Sequence, residues 1–186
     1  PPTIRLTLTG ALQPGVLPRD LCYRIARNFS NGSFGAEWDY RVIEITGPAV
    51  EPMSLAERVP LCNTLTELGV ANVFFPPSEA IIKEAQGRAA RPFTPVFSDS
   101  DAQFETEIAF DISSLTPQLV LPGSPDNAVD IDGHTGLKID QAFLGSCGSG
   151  MYEDMEIAAR ALKGRRVSAG TRFFVTPGTE AVARRM

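Results

Sequence analysis

The chain has one histidine and three cysteines in 186 residues, and each scarcity removes a class of function. A single imidazole, His134, leaves no paired-histidine metal site. Cys22, Cys62 and Cys147 are widely spaced, include no C-x-x-C and are odd in number. That argues against a disulfide framework and a self-contained zinc site, and favours a reducing compartment. No run approaches the roughly 18 apolar residues of a membrane span, and no basic start followed by a short apolar stretch marks an export signal. The expected location is cytoplasmic, or the mitochondrial matrix in a eukaryote, with no membrane partner. A basic stripe is also missing: the formal charge is −5, and the densest cationic group is Lys163, Arg165 and Arg166. That group closes a helix, where cations offset the negative end of the dipole, so nucleic acid is not an expected partner.

What is present is a regular alternation of periods. "TIRLTLTG" places Ile4, Leu6 and Leu8 at the spacing of a half-buried strand, and "PRDLCYRIARNFS" places Leu21, Ile25 and Phe29 at helical spacing before Asn31-Gly32. "DYRVIEITG" reads as a second strand. "SLAERVPLCNTLTELGV" reads as a helix opened by a Ser54/Glu57 capping box, with Pro60 a possible bend. "NVFFPP" and "FETEIAFDISSL" are further strands around a helix "SEAIIKEAQGR" that Ser78 can cap. Residues 116–136, rich in Pro, Gly, Asp and Asn, read as a long connection. Beyond it come a strand "LKIDQAFLG", a helix over 151–163 ended by Gly164, a strand "GTRFFVTPG" and the helix "TEAVARRM", with the βαβ spacing of a parallel sheet. The expected fold is α/β: a three-layer αβα sandwich with a mostly parallel sheet over 1–130, then the start of a second α/β unit over 131–186. The opening on Pro1-Pro2 and the end at Met186 within a short helix lead us to expect a piece of a larger polypeptide.

The chemistry concentrates in a few places. In "FLGSCGSGMYEDM", Cys147 sits in a glycine-rich turn between a strand and a helix start, where the dipole favours a thiolate. The residues alone leave three readings: a nucleophile, a metal ligand, or a small residue in a tight turn. A phosphatase loop would need arginine where Glu153 stands, and a Walker loop would need Lys-Ser/Thr after Gly150, where Met151-Tyr152 follow. Glu153 and Asp154 suit the helix dipole. His134 could serve as a base for Cys147 in a hydrolase, though a surface histidine is the plainer reading. Asn63 and Glu67, four apart, share a helix face, either solvated or aimed at a substrate. The acidic run Asp99, Asp101, Glu105, Glu107, Asp111 lacks the spacing of a calcium loop and reads as a solvated strand edge.

"LCNTLTELGV", "SDSDAQFETEIAFDISSLTPQLVLPGSPDNAV", "FLGSCGSGMYEDM" and "RFFVTPGTEAV", in this order and over nearly the whole chain, resemble the aconitase superfamily. The likeness is to the middle of the large subunit in its isopropylmalate isomerase and homoaconitase branch. The resemblance implies a hydro-lyase that moves a hydroxyl between adjacent carbons of a small hydroxy-polycarboxylate by dehydration and rehydration on a 4Fe-4S cluster. It implies that Cys147 is one cluster ligand, that Ser149 offers the cluster a hydrogen bond, and that Asn63 and Glu67 face the substrate. Gly148-Ser149 replace the family's usual Thr-Asn, and Ser78-Glu79 its usual Asp-Glu. The other cysteine ligands and the N-terminal histidines are absent, so the isolated chain is expected to be inactive and cluster-free. The implied partners are the remaining large-subunit domains and a small swivelling domain or subunit. The alternative is a cluster-free binding or scaffold module of the same fold.

Overall fold

A computed structural model describes residues 1–186, which divide into two units, residues 1–131 and 132–186. In the first, β1 (Thr3–Thr9) turns Ile4, Leu6 and Leu8 to one face, where all three are fully buried, as the alternation requires. It is central in a parallel sheet with β2 (Val42–Thr46), β3 (Asn72–Phe74) and β4 (Thr106–Asp111), in the order β3-β2-β1-β4. Leu6 lies level with Ile45 on one side and Ile108 on the other. Helix α1 (Pro18–Ser30) joins β1 to β2, α2 (Leu55–Thr66) joins β2 to β3, and α3 (Glu79–Arg88) joins β3 to β4. The chain steps outward from β1 to β3 and then returns past β1 to β4. Right-handed crossovers therefore put α1 and α2 on one face and α3 on the other, the layering of an αβα sandwich.

The core lies between the sheet and the first two helices. Leu21, Ile25 and Phe29 of α1 and Leu61 and Leu65 of α2 are buried there. Phe29 meets Phe34 edge-on at 4.9 Å, and Phe34 meets Phe110 at 5.5 Å. The capping box is formed: the Ser54 amide and hydroxyl donate to Glu57 Oε2 at 2.8 and 2.9 Å, and the Glu57 amide donates to Ser54 Oγ at 3.3 Å. Helix α2 continues through Pro60.

Two expectations are corrected. Ser78 stands at the N-cap of α3 without capping it, because its hydroxyl accepts from the buried Arg58 at 3.2 Å. The stretch 116–136 is not a plain connection. It holds an antiparallel pair, β5 (Gln118–Val120) and β6 (Ala128–Asp130), and a 3₁₀ turn (Ile131–His134). Three-residue strands are too short to show a period; this pair is tied to α1 instead. Asp20 Oδ1 accepts the Gln118 amide at 2.8 Å, and Arg24 Nη2 donates to Asp130 at 2.5 Å.

Cys22 faces α2 from within this core, its thiol 3.3 Å from Thr64 Oγ1, and burial pushes it up to about 11 from its ordinary 9.0. Between those values the folded chain keeps a proton that the unfolded chain has lost. This group's contribution to stability is therefore complete below 9.0 and lost as the pH rises towards about 11. The urea midpoint is expected to fall more steeply across that window in the wild type than in Cys22→Ala.

The second unit carries β7 (Gln141–Gly145), α4 (Tyr152–Leu162), β8 (Arg172–Thr176) and α5 (Glu180–Arg185). Strands β7 and β8 pair in parallel, with Phe143 level with Phe174. Asp154 accepts the Met151 amide at 3.0 Å, which secures the start of α4.

Candidate functional site

Asn63 and Glu67 occupy the last turns of α2. Glu67 keeps helical dihedrals (φ −70, ψ −15), so the spacing of four does place both on one face. Asn63 is half-buried and Glu67 exposed, while Thr64 and Leu65 beside them are buried. The helix end is fixed by the strand start it feeds. Trp38 Nε1 donates to Leu68 O at 3.2 Å, the Tyr40 amide to Gly69 O at 2.9 Å, and the Ala71 amide to Arg41 O at 2.9 Å. The pair therefore lies toward the amino-terminal edge of the sheet, away from the carboxyl edge where open parallel sheets usually take ligands.

Helix α1 borders this surface with residues that the sequence did not single out. Arg19 Nη1 donates to Thr64 Oγ1 at 2.9 Å, and its guanidinium carbon stands 5.6 Å from the centre of the Tyr23 ring. Burial pushes the Tyr23 phenol up; Arg19 opposes this by its charge and a hydrogen bond, and the charge of Glu67 adds to it. Arg58, one turn into α2, is buried and donates to three backbone carbonyls. An arginine at i and a tyrosine at i+4 is the only trace of this seam in the sequence.

In the second unit Cys147 is exposed and Ser149 half-buried, on the loop that leaves the carboxyl end of β7. Gly145 takes φ +144 and Ser146 φ +80, so the turn is made at these two residues. Gly150 serves a different purpose. A Cβ there would lie 2.4 Å from Ser146 O and 2.6 Å from the Gly178 amide nitrogen, and that amide donates to Gly150 O at 2.8 Å. The Pro-Gly-Thr turn after β8 thus clasps the cysteine loop, and the role of Gly150 is close approach. Gly150→Ala is expected to destabilise this unit by about 1–3 kcal/mol, as overpacking does, and to loosen the loop, measured by amide exchange at 145–150.

Ser146 Oγ lies 3.7 Å from Cys147 Sγ, and no hydrogen bond links His134 to the thiol, so a Cys-His pair is not assembled. Cys22 is buried and Cys62 half-buried in the first unit. No group of three or more His, Cys, Asp or Glu side chains comes together to hold a metal ion. The acidic run is engaged locally: Arg41 binds Glu105 at 2.9 Å and holds its carboxyl below the usual range, and Asp111 accepts the Ser113 amide at 2.9 Å. No helix is long and apolar enough to cross a membrane.

A parallel sheet with crossover helices, followed by a βα unit that presents an exposed thiol at a strand's carboxyl end, defines the chain as an α/β protein. The chain belongs to the aconitase family (aconitate hydratase), whose model matches residues 1–186. It is 38% identical over 186 residues to the 3-isopropylmalate dehydratase large subunit 1 of Methanopyrus kandleri. It is 34% identical over 183 residues to a protein of Methanothermobacter thermautotrophicus named "Probable methanogen homoaconitase large subunit". To the chloroplastic 3-isopropylmalate dehydratase large subunit of Arabidopsis thaliana it is 35% identical over 184 residues. These matches take in 98 to 100% of the chain but only 43%, 42% and 35% of the respective relatives.

Proposed function

We propose that the chain is an internal portion of an iron–sulfur hydro-lyase large subunit of the isopropylmalate, homocitrate or citrate type, which isomerises a hydroxy-polycarboxylic acid by dehydration and rehydration. The observation that carries this reading is an exposed Cys147, held in a clasped turn at the end of β7, in a chain that matches the aconitase family from end to end. In the intact protein, residues 1–130 are its second domain and 131–186 the first part of its cluster domain. The remaining large-subunit domains and a small swivelling domain or subunit complete it. A reducing compartment, cytoplasm or matrix, suits a protein with its thiols free.

The donor set fits one corner of a 4Fe-4S cluster and no more: Cys147 offers one thiolate where three are needed. When bound, such a cluster supplies a Lewis acid for the substrate's hydroxyl and carboxylate. The chain's own residues do the rest. In the intact protein Cys147 would hold one corner of the cluster, with the Ser149 hydroxyl donating beside it. The Asn63 amide orients a substrate oxygen, and the Glu67 carboxylate holds or releases a proton next to it.

Anaerobic reconstitution tests the reading. The 186-residue chain with iron and sulfide is expected to form no stable cluster and to hydrate no cis-unsaturated diacid, whereas the parent polypeptide with its partners does both. A parent gene that lacks a downstream C-x-x-C would overturn the reading in favour of a cluster-free module.

A further inference from the structure

We propose that the cleft between the last turn of α1 and the β5–β6 hairpin binds a free α-amino acid with an aliphatic side chain. The site lies wholly within the first unit and uses none of the residues assigned to the hydro-lyase chemistry.

A cavity of about 570 Å³ opens there, within the roughly 300–1,000 Å³ of small-molecule sites. Its wall joins two opposite charges, Arg27 and Asp126, to an aliphatic patch of Leu121, Ala128 and Val129. The charges do not neutralise each other. The Ser124 hydroxyl donates to Asp126, and with Ser30 it holds that carboxyl below its usual range, so the group is anionic at neutral pH. The Arg27 guanidinium donates no hydrogen bond within the protein and stands in no ion pair. Its charge reaches Asp130, but that carboxylate is already taken by Arg24 at 2.5 Å, Thr116 at 2.6 Å and Gln118 at 2.8 Å. A cation and an anion that share a cavity without pairing suit a ligand that carries both signs.

The helix sets which way round such a ligand lies. Asp126 and Ser30 stand at the carboxyl end of α1, the negative end of its dipole, so an ammonium group is favoured beside them. Arg27, three residues back, meets the carboxylate with its planar fork. An α-amino acid carries both groups on one carbon, which leaves its side chain for the aliphatic patch. A hydroxy-polycarboxylate would bring further anions against Asp126, so the same site rejects the substrate class of the proposed enzyme. Little has to be ordered on binding. The Leu121 amide donates to Asn127 O at 3.0 Å and Asn127 Nδ2 to Pro122 O at 3.1 Å, which fixes the hairpin turn, while Asp20 and Arg24 tie the hairpin to α1.

Titration calorimetry of the intact parent polypeptide with L-leucine tests the site. One saturable equivalent is expected. Affinity is expected to fall by at least about tenfold for isocaproate, which lacks the ammonium, and for isopentylamine, which lacks the carboxylate, the cost of one charge-assisted hydrogen bond. Arg27→Gln and Asp126→Asn are each expected to weaken L-leucine by a similar factor. Leu121→Trp, at a position already 37% exposed, fills the cavity without touching either charge and is expected to abolish binding; it decides the matter if the charge variants do not fold. Absence of saturable L-leucine binding, isocaproate binding as tightly as L-leucine, or an affinity unchanged in these variants would each overturn the proposal and leave the cleft as hydrated surface. Cluster formation and turnover are read separately, so the failure of this inference is distinguishable from failure of the proposed function.

Discussion

Replacing Cys147 with alanine in the assembled enzyme is expected to abolish stable cluster incorporation and to lower turnover by more than roughly 100-fold, beyond the 10–100-fold typical of losing a group one step removed from a metal ligand. The argument runs from the backbone outward. Gly145 and Ser146 turn the chain at positive φ, and the Gly150–Gly178 clasp closes the turn behind them, leaving the thiol exposed at the strand's carboxyl end. Such a position buries little, so loss of the side chain costs the fold almost nothing and the effect on function is cleanly read. Visible charge-transfer absorbance after anaerobic reconstitution is the measurement, with Cys62→Ala as the control that keeps its cluster. A Cys147→Ala enzyme with full absorbance and full turnover would remove the thiolate from the ligand set and return the turn to the bland reading of a small residue in a tight space.

How much of this was legible before the structure depends on whether a feature is written in period or in contact. Strand β1 and helix α1 were readable because Ile4, Leu6 and Leu8 repeat every 2 residues and Leu21, Ile25 and Phe29 every 4, close to one helical turn, and each set is buried where the period puts it. The Ser54/Glu57 box was readable because both partners lie within one turn. The β5–β6 pair was not, since three residues carry no period and its partners, Asp20 and Arg24, are about 100 positions away. Ser78 had the right residue type for a cap, but a buried guanidinium competes for its hydroxyl. For the proposed site, local pattern and resemblance single out Cys147, Asn63 and Glu67. Arg19, Tyr23 and Arg58 are not singled out by the sequence, because only the packing of α1 on α2 and of α2 on the loops gives them partners.

Arg58 also carries the largest expected effect on stability. Its Nε donates to Met53 O at 3.2 Å, Nη1 to Pro76 O at 3.2 Å, and Nη2 to Val50 O at 3.1 Å and Ser78 Oγ at 3.2 Å. One side chain thereby ties α2 to the loops that follow β2 and β3. Burial pulls the guanidinium below its ordinary value, with Glu51 and Cys62 opposing, and no carboxylate pairs with it directly. Arg58→Met fills much of the volume but leaves carbonyl oxygens without donors, at roughly 1–3 kcal/mol each where water cannot reach. Partial relaxation brings the expected loss to about 3–5 kcal/mol, seen as a lower urea midpoint. Ser78→Asp works in the opposite direction. A carboxylate at 78 would stand beside Nη2 and at the N-cap of α3, and because the cation is already out of water only the new anion has to be desolvated. The expected gain is about 1 kcal/mol at neutral pH, the net worth of a charge-assisted hydrogen bond less that desolvation. In the Arg58→Met background the same aspartate has no cation to meet and should destabilise. The double-mutant cycle therefore predicts a reversal of sign. An equal effect of Ser78→Asp in both backgrounds would mean that Arg58 and residue 78 are not coupled, and that α2 is held by its apolar face alone.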